Sequence, residues 1–369
     1  MKILLAPDKF KGSLSAQDIC KSLSEGIQET CPGADIIVKP LADGGDGSLM
    51  VLAHYFTLKT IQKIVLDPLN RPLMASYKLA DKKAYIELSV ASGLTLLEPE
   101  DRNCMYTSSY GTGELILDAL KKGANQIFLF IGGSATNDGG TGIARALGYR
   151  FYDKRNNALP TTGIHLTKID RIDSQQLLFK PGEISVQVIC DVSNPFYGKN
   201  GAAYVFAPQK GASPDEVIHL DKGLQNLARK LSEQGYPDIS NVPGAGAAGG
   251  IGGGMIAFLG AELQSGIQTF MEITHLESVL KDCDLIITGE GKLDIQTEQG
   301  KVISGVCELA TKHNKKVIAV CGAIDQPIPA SLGISEYYTV LSRSASLEEA
   351  MNCTKEKLIE IGREIGQTL

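Results

Sequence analysis

Acidic, amide and hydroxyl side chains follow several of the short apolar runs in this sequence. In chain order they are Asp8, Asp43, Ser134, Asn137, Asp138, Asp191, Asn194, Glu290 and Asp294. Each run is typical of a strand, and polar groups just past the carboxyl ends of parallel strands lie where open α/β sheets bind ligands. Helix capping would account for any one of these aspartates but explains the whole set poorly. Carboxylates that hold Mg²⁺, with Lys11 and Lys210 as counter-charges, would suit a nucleoside triphosphate.

Glycine-rich segments lie beside the same residues. Glycine accounts for 40 of the 369 residues, and it is concentrated at 42–47 (ADGGDG), 132–142 (GGSATNDGGTG) and 244–254 (GAGAAGGIGGG). The first two segments follow a strand and open a helix, so their backbone N–H groups could approach a phosphate or a carboxylate. Tight turns and helix caps would also explain each segment taken singly. Together, the three loops predict an anion site.

Known nucleotide and phosphate motifs are absent. No GxxxxGK[ST] occurs, because every Gly-Lys pair is followed by Asn, Leu or Val, which excludes a P-loop. The GxGxxG at 244–249 follows a polar stretch that ends in Pro243, where a Rossmann dinucleotide site needs a strand. The HRD and DFG signatures of protein kinases are missing. None of the five histidines has metal-ligand spacing or a nucleophile motif nearby.

Composition limits the partners of the chain. Its 369 residues suffice for two domains with their own cores. Lys and Arg number 36 against 42 Asp and Glu, and the net charge of −6 has the wrong sign for binding nucleic acid or an anionic membrane. The eight cysteines include no CxxC pair, and no apolar run is long enough for a signal peptide or a membrane span. These features predict a cytoplasmic protein with small-molecule ligands, and they leave its oligomeric state open.

Short strands alternate with helices at both ends of the chain. The predicted strands are KILLAP and ADIIVKP near the N-terminus and CDLIITG, KKVIAVCG and SEYYTVL near the C-terminus, with helices at 13–30, 47–55, 301–313 and 347–365. This pattern is typical of a doubly wound, mainly parallel sheet. We therefore infer that the two chain ends share one sheet.

The middle of the chain follows a different pattern. Residues 61–87 read as a small antiparallel meander, and the α/β pattern then returns with strands QIFLFIGG and ISVQVIC and helices at 114–122, 140–147 and 214–234. We predict an α/β fold of two α/β domains, with the active site in the cleft between them. Residues 1–65 plus 280–369 would form a discontinuous Rossmann-like domain. Residues 66–279 would form the α/β domain inserted in it.

Eight motifs resemble, in their order, the bacterial type-1 glycerate kinase family. They are APDKFKGSLSA, LADGGDG, SSYGTGELI, IGGSATNDGGTGIARALG, CDVSNPFYG, FAPQKGA, PGAGAAGGIGGG and LIITGEGKLDIQT, and the resemblance runs from residue 2 to about residue 306. It implies ATP-dependent phosphorylation of D-glycerate, with ATP and Mg²⁺ as cofactors. It favours 2-phosphoglycerate as the product, although no motif distinguishes the 2-hydroxyl from the 3-hydroxyl.

The motifs and glycine loops also imply a set of site residues. The residues expected to contact substrate or nucleotide are Asp8, Asp43, Gly44, Gly45, Gly133, Ser134, Asn137, Asp138, Asn194, Lys210, Glu290, Asp294 and Gln296. Asp43 or Asp294 would hold Mg²⁺. The chain departs from the family where Lys9 replaces the usual Ser, which leaves the role of position 9 open. It departs again at residues 103–109, where Ser replaces Thr and keeps a hydroxyl.

Two residues are predicted to act directly in catalysis. Asp191 ends the apolar VQVIC strand, whose burial would fix its carboxylate as the base, and Asp294 is its competitor. Lys11 would pair with the glycerate carboxylate or a phosphate. Two alternatives stay open: a kinase for a related small hydroxy acid, and a non-catalytic anion-binding sensor on the same scaffold. The acidic residues favour a kinase, because a pure anion binder gains nothing from them.

Overall fold

The structure is a computed structural model that describes residues 1–45, 47–179, 182–293, 301–325 and 328–369. Two predicted site residues, Asp294 and Gln296, lie outside these ranges. The chain divides into two compact units: unit 1 is Met1–Asp43 with Ser265–Leu369, and unit 2 is Gly44–Gln264. No helix in the described ranges is both long and apolar enough to cross a membrane.

Strands and helices are distributed along the whole described chain. The strands are β1 (Lys2–Leu5), β2 (Asp35–Val38), β3 (Lys59–Leu66), β4 (Pro72–Ala80), β5 (Lys83–Glu87), β6 (Gln126–Phe130), β7 (Arg150–Tyr152), β8 (Arg171–Asp173), β9 (Ser185–Ile189), β10 (Glu262–Gln264), β11 (Leu285–Thr288), β12 (Lys292–Leu293), β13 (Lys316–Cys321), β14 (Ala323–Ile324) and β15 (Glu336–Thr339). The helices are α1 (Ala16–Thr30), α2 (Ser48–Tyr55), α3 (Ser89–Ser92), α4 (Tyr110–Lys121), α5 (Thr141–Ala146), α6 (Ala202–Phe206), α7 (Pro214–Glu233), α8 (Ala247–Leu259), α9 (Gly266–Ile273), α10 (Leu276–Leu280), α11 (Val302–Lys312), α12 (Leu347–Asn352) and α13 (Thr354–Gln367).

Unit 1 is built on a five-stranded parallel sheet in the order β15-β13-β11-β1-β2. Strands from both chain ends share it, as the sequence predicts, with Ile3 paired to Leu285. Helix α1 begins after Ser15, whose hydroxyl oxygen accepts a hydrogen bond from the N–H of Asp18 at 3.2 Å. The backbones of helices α1 and α13 are in close contact at Gly26. A Cβ at this position would lie only 2.1 Å from the carbonyl oxygen of Ile359.

Unit 2 is built on a six-stranded mixed sheet in the order β10-β9-β6-β5-β4-β3. Strands β3, β4 and β5 form the predicted antiparallel meander, while β5, β6, β9 and β10 run parallel. Helices α4, α5, α7 and α8 contribute buried side chains to its core, among them Ile116, Ile143, Leu224 and Met255. The predicted α/β class with mainly parallel sheets is confirmed.

Several element boundaries differ from the predicted ones. The units divide after Asp43 and Gln264, whereas the predicted domains divide after residues 65 and 279. Strand β3 crosses the first predicted bound, and it pairs along its whole length with β4 inside unit 2. The single helix predicted at 347–365 is two helices, α12 and α13, separated at Cys353.

The third glycine-rich segment is a loop only in its first part: residues 244–246 form a turn, and helix α8 replaces the predicted loop from Ala247 onward. Helix α8 opens with a left-handed turn at residues 248–250 and then continues to Leu259. A Cβ on Gly249 would lie 2.0 Å from the carbonyl oxygen of Thr136, and a Cβ on Gly254 would lie 2.2 Å from that of Gly139. Only glycine allows such close approach. The segment therefore supports the 132–142 loop by direct backbone contact.

Replacing Gly254 with alanine is expected to destabilise the protein even though alanine favours helices. Helix propensity alone would stabilise α8 by about 1 kcal/mol. The new Cβ, however, would overlap the backbone oxygen of Gly139, and overpacking of this kind costs about 1–3 kcal/mol or more. Urea unfolding should therefore show a net loss of stability.

Gly33→Ala is the control for this variant, because a Cβ on Gly33 has no atom within 4 Å. Equal unfolding free energies for the two variants would contradict the close contact between α8 and the 132–142 loop.

Candidate active site

Three loops of unit 1 meet at the carboxyl ends of neighbouring strands. Asp8 follows β1, Asp43 follows β2 and Glu290 follows β11, and these strands are adjacent in the sheet. The N–H of Asp8 donates to the carbonyl oxygen of Gly289 at 2.8 Å, and the N–H of Leu41 donates to that of Pro7 at 2.9 Å. These bonds bring the three predicted acidic residues together as the carboxylate cluster of unit 1 (Asp8, Asp43 and Glu290).

Asp8 has the most perturbed environment of that cluster. Burial, followed by the charge of Asp43, raises its pKa to about 7, and the charge of Glu290 acts in the same direction. The charge and the N–H of Lys9 oppose the shift, since that N–H donates to Asp8 Oδ1 at 2.7 Å. Glu290 is buried and forms an ion pair with Lys301 at 3.5 Å. The Lys9 backbone thus contributes to the site, while the neighbouring Lys11 is exposed.

In unit 2 a buried ammonium group lies beside the loop that follows β6. Lys210 Nζ donates to the hydroxyl of Ser134 at 2.6 Å and to the carbonyl oxygen of Thr136 at 2.8 Å. Burial lowers the pKa of Lys210 to about 8, against the opposing influence of Cys104 and Asp138. An ammonium group has three donors. Within the described ranges, two of the three have acceptors.

The side chain of Asn137 lies in the same loop and is fully buried. Neither its Oδ1 nor its Nδ2 has a hydrogen-bond partner among the described residues, and the same is true of Thr136 Oγ1. Buried polar atoms without partners are rare in folded proteins, because each one costs roughly 1–3 kcal/mol. Together with Ser134 and Lys210, these residues form what we call the Lys210 cluster (Ser134, Thr136, Asn137 and Lys210). Three of its polar atoms are thus buried without a partner among the described residues.

Asp138 has a different environment from its neighbour Asn137. Its Oδ2 accepts hydrogen bonds from the N–H and hydroxyl of Ser109, at 2.8 and 2.7 Å, and from the N–H of Gly142, while its Oδ1 accepts from the N–H of Gly140. Burial raises the pKa of Asp138, and these four donors oppose that shift. This arrangement resembles a cap at the start of α5, and through it Asp138 holds the loop in place. Ser109 lies where Ser replaces the usual Thr of the family, and the hydroxyl that both residues share donates one of these bonds.

Asp191 and Asn194 follow β9, but their surroundings are more open. The Asp191 side chain is exposed, although the strand before it is largely buried, as predicted. The side-chain Nδ2 of Asn194 donates to the backbone carbonyl oxygen of Asn200 at 2.8 Å. The backbone carbonyl oxygen of Asn194 accepts from the N–H of Gly246 at 2.9 Å. Gly246 lies just before α8, whose Gly249 contacts the Asn137 backbone. The start of α8 therefore links the two loops.

The predicted glycines lie in loops with left-handed backbone. Gly44 has φ of 85° and Gly133 has φ of 72°, a region that other residues rarely adopt. The carbonyl oxygen of Gly45 accepts a hydrogen bond from the hydroxyl of Ser48 at 2.6 Å, at the start of α2. The sequence analysis did not name Thr136 or Ser109 as site residues, although it noted Ser109 as a departure from the family pattern. Their position inside the long motifs was the only signal available for them.

The acidic residues of unit 1 fit a magnesium ion. No group of three or more His, Cys, Asp or Glu side chains in the described ranges is arranged to hold a metal ion. Mg²⁺, however, commonly uses one or two protein carboxylates and takes its remaining ligands from water and substrate phosphates. A divalent cation would relieve the repulsion that the raised pKa of Asp8 reveals. Asp43 is the predicted ligand within the described ranges, and Asp294 lies outside them.

Replacing Asn137 with leucine is expected to leave the protein as stable as before or to stabilise it by about 1–3 kcal/mol. The substitution removes two buried polar atoms that have no partner in the described part of the chain, and it keeps a similar volume. Chemical unfolding of the unliganded protein measures the difference.

Asn226→Leu is the matched control. Asn226 Nδ2 donates to the carbonyl oxygens of Leu166 and Ile169 at 2.8 and 2.9 Å, so its loss should cost about 1–3 kcal/mol. A similar loss of stability in both variants would show that the Asn137 amide is paired within the protein.

Comparison with known proteins agrees with the motifs. The model of the Glycerate kinase family matches residues 3–369. A protein of Escherichia coli K12 named Glycerate 2-kinase is 40% identical, over 100% of this chain and 98% of that protein. A Glycerate kinase of Halalkalibacterium halodurans is 39% identical, over 98% and 97% of the two chains. The crystal structure of a Salmonella typhimurium LT2 protein assigned as glycerate kinase 2 is 39% identical, with a TM-score of 0.88 over 100% of this chain and 98% of that one. The chain therefore belongs to the glycerate kinase family.

Proposed function

We propose that this kinase transfers the γ-phosphoryl group of ATP to D-glycerate and releases 2-phosphoglycerate. The observation that carries the proposal is the Lys210 cluster. Its buried ammonium uses two of its three donors, and its buried amide, that of Asn137, has no hydrogen-bond partner among the described residues. A small anion that also bears hydroxyl groups has the matching chemistry. The name of the Escherichia coli relative, Glycerate 2-kinase, supports the 2-hydroxyl as the acceptor.

The Lys210 cluster suits recognition of the acid. The third donor of Lys210 Nζ and the Nδ2 donors of Asn137 would bind the carboxylate. Asn137 Oδ1 is an acceptor for a glycerate hydroxyl, which would distinguish this substrate from an acid without one. The N–H groups of Gly44, Gly45 and Gly133 would hold phosphate oxygens. Lys11 stays the predicted partner of the glycerate carboxylate or a phosphate.

Mg²⁺ fits beside Asp43, where it would neutralise charge on the phosphate oxygens of ATP. The residues of the chain then have two tasks. They align the acceptor hydroxyl with the phosphoryl group, and they take its proton as the new P–O bond forms and ADP leaves.

Two carboxylates are candidates for the base. Asp191 remains our assignment, because it directly follows a strand whose residues Val188 and Ile189 are buried, although its own side chain is exposed. Asp8 is the alternative, since it is buried among other carboxylates and its pKa of about 7 suits a proton acceptor. The remaining candidate from the sequence, Asp294, lies outside the described residues.

Phosphorus NMR of the product tests the proposed reaction. With ATP, Mg²⁺ and D-glycerate we expect stoichiometric ADP and a resonance of 2-phosphoglycerate. A resonance of 3-phosphoglycerate would overturn the regiochemistry. Turnover of another hydroxy acid in preference to glycerate would identify a related kinase, and no acid-dependent turnover would favour an anion-binding sensor. Asn137→Leu should remain folded and lose most of its activity.

Replacing Asp191 with asparagine is expected to lower kcat by about 10²–10⁴, because the side chain keeps its shape but no longer accepts the proton. Binding of ATP should change little. Steady-state kinetics with D-glycerate as the varied substrate provides the measurement.

Asp81→Asn serves as the neutral control, since Asp81 is an exposed turn residue with φ of 50°, a conformation that asparagine also adopts. If Asp191→Asn keeps most of its turnover while Asp8→Asn loses it, the base is Asp8.

A further inference from the structure

Unit 2 contains a polar groove of about 440 Å³ formed by residues outside the proposed catalytic set. Three segments line it: the turn at 153–157 after β7, residues 167–170 before β8, and residues 226–230 of α7. Its volume falls within the range of small-ligand pockets, roughly 300–1,000 Å³. None of the predicted substrate, nucleotide or catalytic residues is among its lining residues.

The groove is cationic in a protein whose net charge is −6. Five of its lining side chains are Lys or Arg, and two are Asp. Such a local reversal of charge concentrates small anions there, while the overall charge repels large polyanions.

Both aspartates of the groove already have partners. Asp153 accepts hydrogen bonds from the N–H groups of Arg155 and Asn157, each at 2.8 Å, and from Asn157 Nδ2 at 3.0 Å. Asp170 accepts from Lys230 Nζ at 2.9 Å. Hydrogen bonds hold the pKa of both carboxyl groups below the usual value, so both are ionised at neutral pH. Their negative charges therefore belong to the framework of the groove.

Three of the cations have no such partner. The ammonium groups of Lys154 and Lys168 and the guanidinium of Arg155 form no ion pair or hydrogen bond with any described residue. Arg229, in contrast, pairs with Glu233 and Asn226, and Lys230 pairs with Asp170. Arg155 and Lys154 still act on Asp153 and Asp170 through their charges, which help to lower the pKa of those carboxyl groups. With five cations against two aspartates, the groove keeps a net positive charge that matches a ligand with two or three negative charges. The planar fork of an arginine favours a phosphoryl group.

We propose that this groove is a second anion site, separate from the catalytic residues, which binds a small phosphorylated molecule. An extended polyanion such as RNA fits less well, because the cations are confined to one groove.

The far wall of the groove is connected to the Lys210 cluster. Residues 163–168 form a 3₁₀ turn that ends in the groove and begins at Gly163, where a Cβ would lie 3.1 Å from the carbonyl oxygen of Asn137. Asn226, which lines the groove, holds the end of this turn in place because its Nδ2 donates hydrogen bonds to the carbonyl oxygens of Leu166 and Ile169. An anion bound by Lys168 would therefore contact the end of the turn whose first residue, Gly163, lies close to the backbone of Asn137.

Binding of inorganic pyrophosphate, measured by isothermal titration calorimetry without divalent metal and at low salt, tests the proposal. The groove variant is Lys154→Gln/Arg155→Gln, and both residues are exposed, so the variant should fold. Lys82→Gln/Lys83→Gln removes the same charge from an adjacent exposed pair that does not line the groove. The catalytic residues are intact in all three proteins, so any binding there is common to them.

We expect the wild type and the Lys82/Lys83 variant to bind one more equivalent of pyrophosphate than the groove variant, or to bind it at least about tenfold more tightly at that site. Salt should weaken this additional binding, since the groove cations are exposed. Lys168→Gln, on the opposite wall, should reproduce part of the loss. Identical isotherms for the wild type and the groove variant would overturn the proposal. An equal loss in the Lys82/Lys83 variant would also overturn it, because the effect would then be one of net charge.

Discussion

The buried ammonium of Lys210 is the charge on which the arrangement of the unit 2 site depends. An ammonium removed from water is unfavourable unless acceptors surround it, and the lowered pKa of Lys210 reflects that cost. The acceptors come from residues 134–136, far away in the sequence. The loop after β6 must therefore be held in one conformation, and the contacts around it can be understood as meeting that requirement.

Two independent contacts hold the loop. On one side, Asp138 collects four hydrogen bonds and ties the loop to the starts of α4 and α5. On the other side, Gly249 of α8 packs against the same carbonyl oxygen of Thr136 that accepts from Lys210 Nζ at 2.8 Å. Any side chain at 249 would displace this acceptor. The glycine-rich helix thus affects the site through the position of one oxygen atom.

The sequence predicts the strands and the loops that carry polar residues, because periodicity and strand-end position are local properties. It could not predict that the Asn137 side chain finds no partner among the residues that the structure describes while Asp138 has four donors, since those donors come from Ser109 and from the turn that follows. Nor could it distinguish a glycine-rich loop from a glycine-rich helix at 247–259, because the distinction depends on which backbone lies opposite. In both cases the missing information is a contact between distant segments.

Asp8 and Asp191 show the same limit in electrostatic terms. Each aspartate follows a buried parallel strand, so the sequence pattern alone does not distinguish their environments. In the sheet of unit 1, however, β1 lies between β2 and β11, and both of these strands lead into acidic residues, Asp43 and Glu290. Strand β9 lies between β6 and β10, which lead into Gly132 and Ser265. Burial is the largest cause of the raised pKa of Asp8, and the order of strands in the sheet adds the like charges of Asp43 and Glu290 to it. Strand order is set by the packing of the whole unit, and for this reason the acid–base properties of the site follow from the fold and not from any motif.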